Sequence, residues 1–238
     1  MTLLLASISP VLIFLYTIFK KDVNKEPISL VVKCFLGGFA AIVLTLIMVI
    51  PMLAMEEHFQ SPVLKSIFNA FAVAAIPEEI SKFVILYWLV WKSKFFDEYY
   101  DGIVYAIFVS LGFAMIENIF YVFEHGMFTA FIRAILAVPG HGFFAVFMGY
   151  FLSMAKFSPQ PNRKTYILMS LLVPIALHGT YDFLLMYSEA LNEFDTGLIA
   201  LLLIVFTIFI IYLWRMGIQR IKASIALDHP VENDADNL

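Results

Sequence analysis

The segment Ala75-Ile76-Pro77-Glu78-Glu79-Ile80-Ser81-Lys82-Phe83 places three charges in the middle of an otherwise apolar run from Ile67 to Trp91. A run of that length and polarity reads as a membrane-spanning helix. A charge near the centre of such a helix costs about 3 kcal/mol on insertion scales, so it is kept mainly where it serves a site or a partner. On a helix, Glu78 and Lys82 share one face, while Glu79 is turned by about 100° towards a neighbouring helix. Lys82 is therefore expected to hold Glu78 ionised while Glu79 looks elsewhere. Pro77 removes a backbone donor and crowds the preceding turn, which predicts a bend and a freed carbonyl inside the membrane. A kink beside paired carboxylates suggests a cavity that admits water.

The rest of the chain agrees with a membrane reading. Of 238 residues, 62% are hydrophobic and 14% charged, with a mean hydropathy of +0.88, which excludes an ordinary soluble domain. Apolar windows recur at residues 2–19, 28–54, 67–91, 102–123, 128–155, 166–187 and 197–214, each long enough to cross about 30 Å of hydrocarbon. The expectation is an all-α polytopic membrane protein of seven transmembrane helices. Residues 2–19 lack a basic leader and a small-residue cleavage site, so they read as the first span and not as a signal peptide.

The connections alternate in charge: Lys20, Lys21 and Lys25 follow the first window, Glu56 and Glu57 the second, Lys92 and Lys94 the third, and so on to Arg215, Arg220 and Lys222. The positive-inside rule then puts the N-terminus outside and the C-terminus in the cytoplasm. Lys33, Lys65 and Arg133 fall near helix ends, where they are expected to snorkel to the interface. Residues 1–222 read as one helical domain and 223–238 as a disordered acidic cytoplasmic tail, without periodicity from Asp228 onward. Trp88, Trp91, Tyr99, Tyr100 and Trp214 fall at interfacial positions and read as anchors. Cys34, the single cysteine, reads as a small packing residue. The glycines at 37, 38, 112, 140, 142 and 179 read as points of close helix approach.

Four more ionisable residues lie within windows: Glu117, followed by Asn118, in the fourth; His141 in the fifth; His178 and Asp182 in the sixth. At 1.5 Å of rise per residue they come out about 8 to 17 Å below the outer surface, with Glu78 and Glu79 at a similar or slightly greater depth. One of these groups alone would read as interhelical glue. Six in one slab from helices of alternating direction point to a shared site. His178 and Asp182 share a helix face, so the carboxylate can fix the tautomer of the ring.

Hydrolysis of an amide needs an activated water, donors for the oxyanion and a proton for the leaving amine, and glutamate with histidine supplies all three. Of two neighbouring carboxylates in a poorly solvated site, one titrates high and the other stays a base. Glu78, beside Lys82, is the expected base. Ser81 and Ser110 read as backbone-bonded helix serines, so a covalent mechanism is disfavoured. There is no His-Glu-x-x-His motif; no metal is assigned, and a divalent metal such as zinc would draw on Glu79, Glu117, His141 and His178.

The Glu-Glu-x-x-Lys of Glu78 to Lys82, the Phe-Ala-x-x-Glu-Asn of Phe113 to Asn118, the isolated His141 and the His-x-x-x-Asp of His178 to Asp182 resemble, in order and spacing, the PrsW family of intramembrane proteases. The likeness extends to Asp22 with Glu26-Pro27 and to Asp101-Gly102-Ile103-Val104-Tyr105, and covers about residues 12–214. This family is similar to the CAAX prenyl endoproteases. By position, the resemblance implies Glu78 as base, Glu79 and His141 as holders of the water, and His178 and Asp182 facing the oxyanion. Glu117 stands where those relatives tend to have histidine, and Ala106 where glycine is expected. The resemblance further implies a bacterial cytoplasmic membrane and an extracytoplasmic first cut in a single-span substrate, an anti-sigma factor. No nucleic-acid partner is expected. Two rival readings remain: a proton-coupled transporter, against which stand the odd helix count and the lack of repeats, and a non-enzymatic scaffold in which the polar cluster only fixes packing.

Overall fold

The computed structural model describes residues 1–159, 161–191 and 195–229, and these are helical almost throughout. The helices are α1 (Thr2–Lys21), α2 (Ile28–Leu53), α3 (Pro62–Ile67), α4 (Ile76–Val90), α5 (Tyr99–His125), α6 (Met127–Ile135), α7 (Ala137–Phe157), α8 (Arg163–Ala190) and α9 (Thr196–Asp228). Among the described residues, six helical segments are long and apolar enough to cross a membrane: those beginning at Thr2, Ile28, Tyr99, Met127, Arg163 and Thr196. In the spans containing α5 and α7, 67% of the most apolar window is buried, against 17% in those of α2 and α9, so the first two form the centre and the others face lipid.

Close backbone approach builds that centre. A Cβ on Gly38 would overlap the Val109 carbonyl, and one on Gly112 would overlap the Phe35 carbonyl, so α2 and α5 cross with their main chains in contact. Gly102 and Gly149 do the same between α5 and α7, two positions the sequence had not singled out for this role.

The expected third span differs most from expectation. Residues 62–90 form one helical run, but α3 and α4 are joined by a π-helical segment, Phe68–Ala75, whose widened ladder ends where the Ile76 amide donates to the Phe71 carbonyl. The break caused by Pro77, which has no amide to give, is thus absorbed by wider turns ahead of it. Such π-segments interrupt α-helices at functional sites often enough to mark one here.

The expected fifth span is two helices. Pro139 cannot donate to the carbonyl four residues back, that of Ile135, and the chain breaks at Leu136 (φ −108°, ψ −62°) between α6 and α7. Gly126, at φ +85°, turns the chain from α5 into α6 in a conformation that favours glycine.

α9 runs on for 33 residues to Asp228, so residues 223–228, expected in the disordered tail, are helical. Asp228 accepts hydrogen bonds from the Tyr99 and Tyr100 amides at 2.6 and 2.8 Å, closing the start of α5. The tail expected over 230–238 lies outside the described residues. Tyr100, expected as an anchor, is buried and donates to the Ile18 carbonyl.

Candidate active site

Glu78 and Glu79 open α4, carried into the bundle by the π-segment; Glu117 comes from α5, His141 from the first turns of α7, and His178 and Asp182 from α8. Glu78, Glu117, His141, His178 and Asp182 line one cavity of about 200 Å³. Five of the six residues that sequence placed in one slab therefore meet around one space, and Glu79 stands behind its wall.

Lys82 sits behind the cavity, 1% exposed, with its ammonium 3.0 Å from Glu78 Oε2, 2.8 Å from Glu79 Oε1 and 3.3 Å from His141 Nδ1. The expectation that it would serve Glu78 alone is corrected: one turn of helix brings the three-apart residue within reach as well as the four-apart one. Its ammonium lies over the Phe113 ring, 4.2 Å from the centroid.

An ammonium only donates, so His141 Nδ1 accepts, and the ring proton sits on Nε2. That nitrogen donates to Glu117 Oε2 at 2.8 Å. His178 is held between carboxylates, Nδ1 at 2.9 Å from Glu79 Oε1 and Nε2 at 3.2 Å from Asp182 Oδ2. An imidazolium donating at both nitrogens suits that position. The His178 ring stacks on Phe144, 4.9 Å between centroids, which fixes its plane.

Glu78 and Glu79 differ in access. The Glu78 side chain is 13% exposed and faces the cavity, whereas Glu79 is 1% exposed and does not line it. Glu79 Oε1 takes both Lys82 and His178, and its Oε2 is buried without a hydrogen-bond partner.

Arg133, expected to snorkel from a helix end, instead turns inward from α6. Its Nη2 lies 3.1 Å from Glu117 Oε2, its Nε donates to Asn118 Oδ1 at 2.8 Å, and its guanidinium lies 4.2 Å from the Tyr121 ring centroid. Asn118 is fully buried and donates in turn to the Ser7 carbonyl at 2.7 Å, tying α1 to this corner. Ser110 bonds a backbone carbonyl as expected, though across to that of His141 at 3.0 Å, whereas Ser81 faces Met48 Sδ and not the backbone.

Glu78, Glu79 and His178 bring one potential ligand atom each within 4.8 Å of the others. Glu79 Oε2 is buried without a partner, and with His178 neutral and one ring nitrogen released from its carboxylate this donor set fits a divalent metal such as zinc. Two of the four ligands expected from sequence, Glu117 and His141, are not in that group; they pair with each other, and Glu117 also with Arg133.

Comparison with known proteins gives a consistent result. The family model described as "PrsW family intramembrane metalloprotease" matches residues 26–213. Relatives named "Protease PrsW" include one from Geobacillus kaustophilus, 36% identical over 230 residues covering 96% of this chain and 95% of its own. Another, from Bacillus subtilis, is 36% identical over 219 residues, 91% of this chain and 93% of its own. A third, from Clostridioides difficile, is 35% identical over 227 residues, 92% and 90% of the two chains. No solved structure matches the chain significantly.

Proposed function

The chain belongs to the PrsW family of intramembrane metalloproteases, and from that premise we propose that it cuts a peptide bond of a single-span membrane protein, with Glu78 as the base that activates water. The observation that carries this reading is that Glu78 reaches the cavity while Lys82, Glu79 and both histidines are locked around it.

In this mechanism the Glu78 carboxylate, paired with Lys82 at 3.0 Å, accepts a proton as water adds to the substrate carbonyl. His141, its tautomer set from one side by Lys82 and from the other by Glu117, helps to hold that water by moving its Nε2–H from Glu117 to the water oxygen. His178 gives up its bond to Asp182 to turn Nε2–H towards the developing oxyanion, while Glu79, on Nδ1, orients the ring and balances its charge. Glu79 is then a positioning group and not a holder of water, because it sits behind the cavity wall. Protonated Glu78 returns its proton to the leaving amine, which completes the hydrolysis. A divalent metal held by Glu78, Glu79 and His178 would polarise the carbonyl and acidify the water.

The reading extends to topology and substrate. Residues 62–90 would be a seventh span, the N-terminus would lie outside and the C-terminus inside, as the alternation of basic and acidic connections supports. The chain would then reside in a bacterial cytoplasmic membrane and make the first, extracytoplasmic cut in an anti-sigma factor. Co-expression with tagged single-span anti-sigma factors from the same genome tests this. A fragment produced by the wild type and lost with Glu78→Gln is expected; equal processing by folded Glu78→Gln would refute the assignment. Loss of the fragment on adding a chelator as well would establish the metal form.

A further inference from the structure

A second group of carboxylates lies far from the cavity. Asp101 opens α5, 16 residues before Glu117, so about 24 Å of helix separates the two. Around Asp101 the loop 22–27 between α1 and α2 meets the loop 91–98 between α4 and α5. One carboxylate oxygen each from Glu26, Asp97 and Asp101 lies within 4.8 Å of the other two. Oxygens that share a calcium-sized cation at about 2.4 Å cannot stand farther apart than about 4.8 Å, so the spacing is that of a common coordination sphere.

The groups already engaged leave the need for a cation unmet. Asp101 Oδ2 accepts the Asp97 and Glu98 amides at 3.0 and 2.7 Å, and Asp228 accepts the next two, so the positive end of α5 is used up. Asp101 is fully buried, and its other oxygen, Oδ1, has no hydrogen-bond partner; Asp22 Oδ1, close by, has none either. The nearby ammonium groups point at carbonyls: Lys25 at that of Asp22, Lys156 at those of Trp91 and Ser93. Among the described residues none of Asp22, Glu26, Asp97 and Asp101 makes an ion pair. Glu26 is held by Tyr105, whose hydroxyl also reaches the Phe95 carbonyl. Burial pushes the Asp22 and Glu26 carboxyls above their ordinary range, and acidic neighbours push the same way.

We infer that Glu26, Asp97 and Asp101 form a binding site for one hard divalent cation, of the magnesium, calcium or manganese kind, that ties the 22–27 loop to the start of α5. The donors are all oxygen, which selects these ions over softer zinc or copper. Two ligands are buried and the third, Asp97, is exposed, so the ion enters from the water side past Asp97. The cation holds together two connections that otherwise repel each other, and the site is independent of the proteolytic reading.

The test is Mn²⁺ binding to the purified full chain, followed by electron paramagnetic resonance, in wild type, Glu78→Gln and Asp97→Asn. Wild type and Glu78→Gln are expected to bind an ion that Asp97→Asn binds at least about tenfold more weakly, with Ca²⁺ or Mg²⁺ displacing it. Binding equal in wild type and Asp97→Asn, or absent from both, overturns the site, the latter meaning that the carboxylates are simply protonated. Thermal unfolding of the unmutated chain gives a second readout that needs no variant. Ca²⁺, Mg²⁺ or Mn²⁺ added after chelation should raise the midpoint, and no rise with any of the three overturns the proposal.

Discussion

One ammonium, that of Lys82, meets two glutamates and a histidine, and most of what the site can do follows from that side chain. Removing it leaves two carboxylates in a poorly solvated interior with one cation fewer, and breaking a buried pair in this way costs about 3 to 5 kcal/mol. Lys82→Met is therefore expected to lower the unfolding midpoint in detergent well below that of a lipid-facing control such as Leu46→Ala; an unchanged midpoint would mean that the Lys82 pairs contribute nothing to stability. Arg133 acts one step farther out, on Glu117 and through it on His141. Arg133→Ala should cut the rate of substrate cleavage about tenfold or more, with Arg133→Lys recovering part of the loss and displacing the pH profile, whereas a purely structural arginine would change neither. The His178–Asp182 pair was legible in the sequence, because a four-residue spacing puts two side chains on one helix face. The role of Arg133 was not, because a continuous fifth span put it near the membrane surface. The signal that would have found it is Pro139, which ends one helix and starts another with a different face inward.

At the level of helices, the bundle depends on main-chain contact between α2 and α5, where Gly38 and Gly112 face carbonyls across the interface. Gly112→Val should separate these helices and lower both stability and the yield of folded protein; Gly140→Ala, whose added Cβ meets only ordinary contacts at 3.6 Å and beyond, should not. Size-exclusion profiles and thermal unfolding in detergent distinguish the two. The end of α9 offers a separate test. Asp228 caps α5, and loss of a cap costs about 1 kcal/mol, so Asp228→Ala should lower the unfolding midpoint measurably, whereas an inert tail residue would not. The sequence marked α1, α2, α5 and α8 to within a few residues because each is an unbroken apolar stretch. It could not mark the π-segment or the length of α9. Hydropathy reads how apolar a stretch is, and both features depend on what the backbone amides and carbonyls find to bond with.

At the scale of the molecule, the membrane class was evident from composition, and the joining of four helices around one site from depth alone. Depth follows from counting residues at a fixed rise, and it does not depend on knowing which helices touch. What depth could not supply was which carboxylate faces the cavity. Glu78 and Glu79 are adjacent and equally deep, and only the packing of α8 against the π-segment buries the second and leaves the first open. The central claim is that this difference makes Glu78 the base of a hydrolytic site. It is tested most directly by reconstituting the purified chain in liposomes with a single-span substrate and mapping the products by mass spectrometry for wild type, Glu78→Gln and Glu79→Gln. Wild type should make one cut in the substrate, Glu78→Gln should lose about a hundredfold or more of that rate, and Glu79→Gln should cut at the same position more slowly. Cleavage by folded Glu78→Gln at the wild-type rate would contradict the claim.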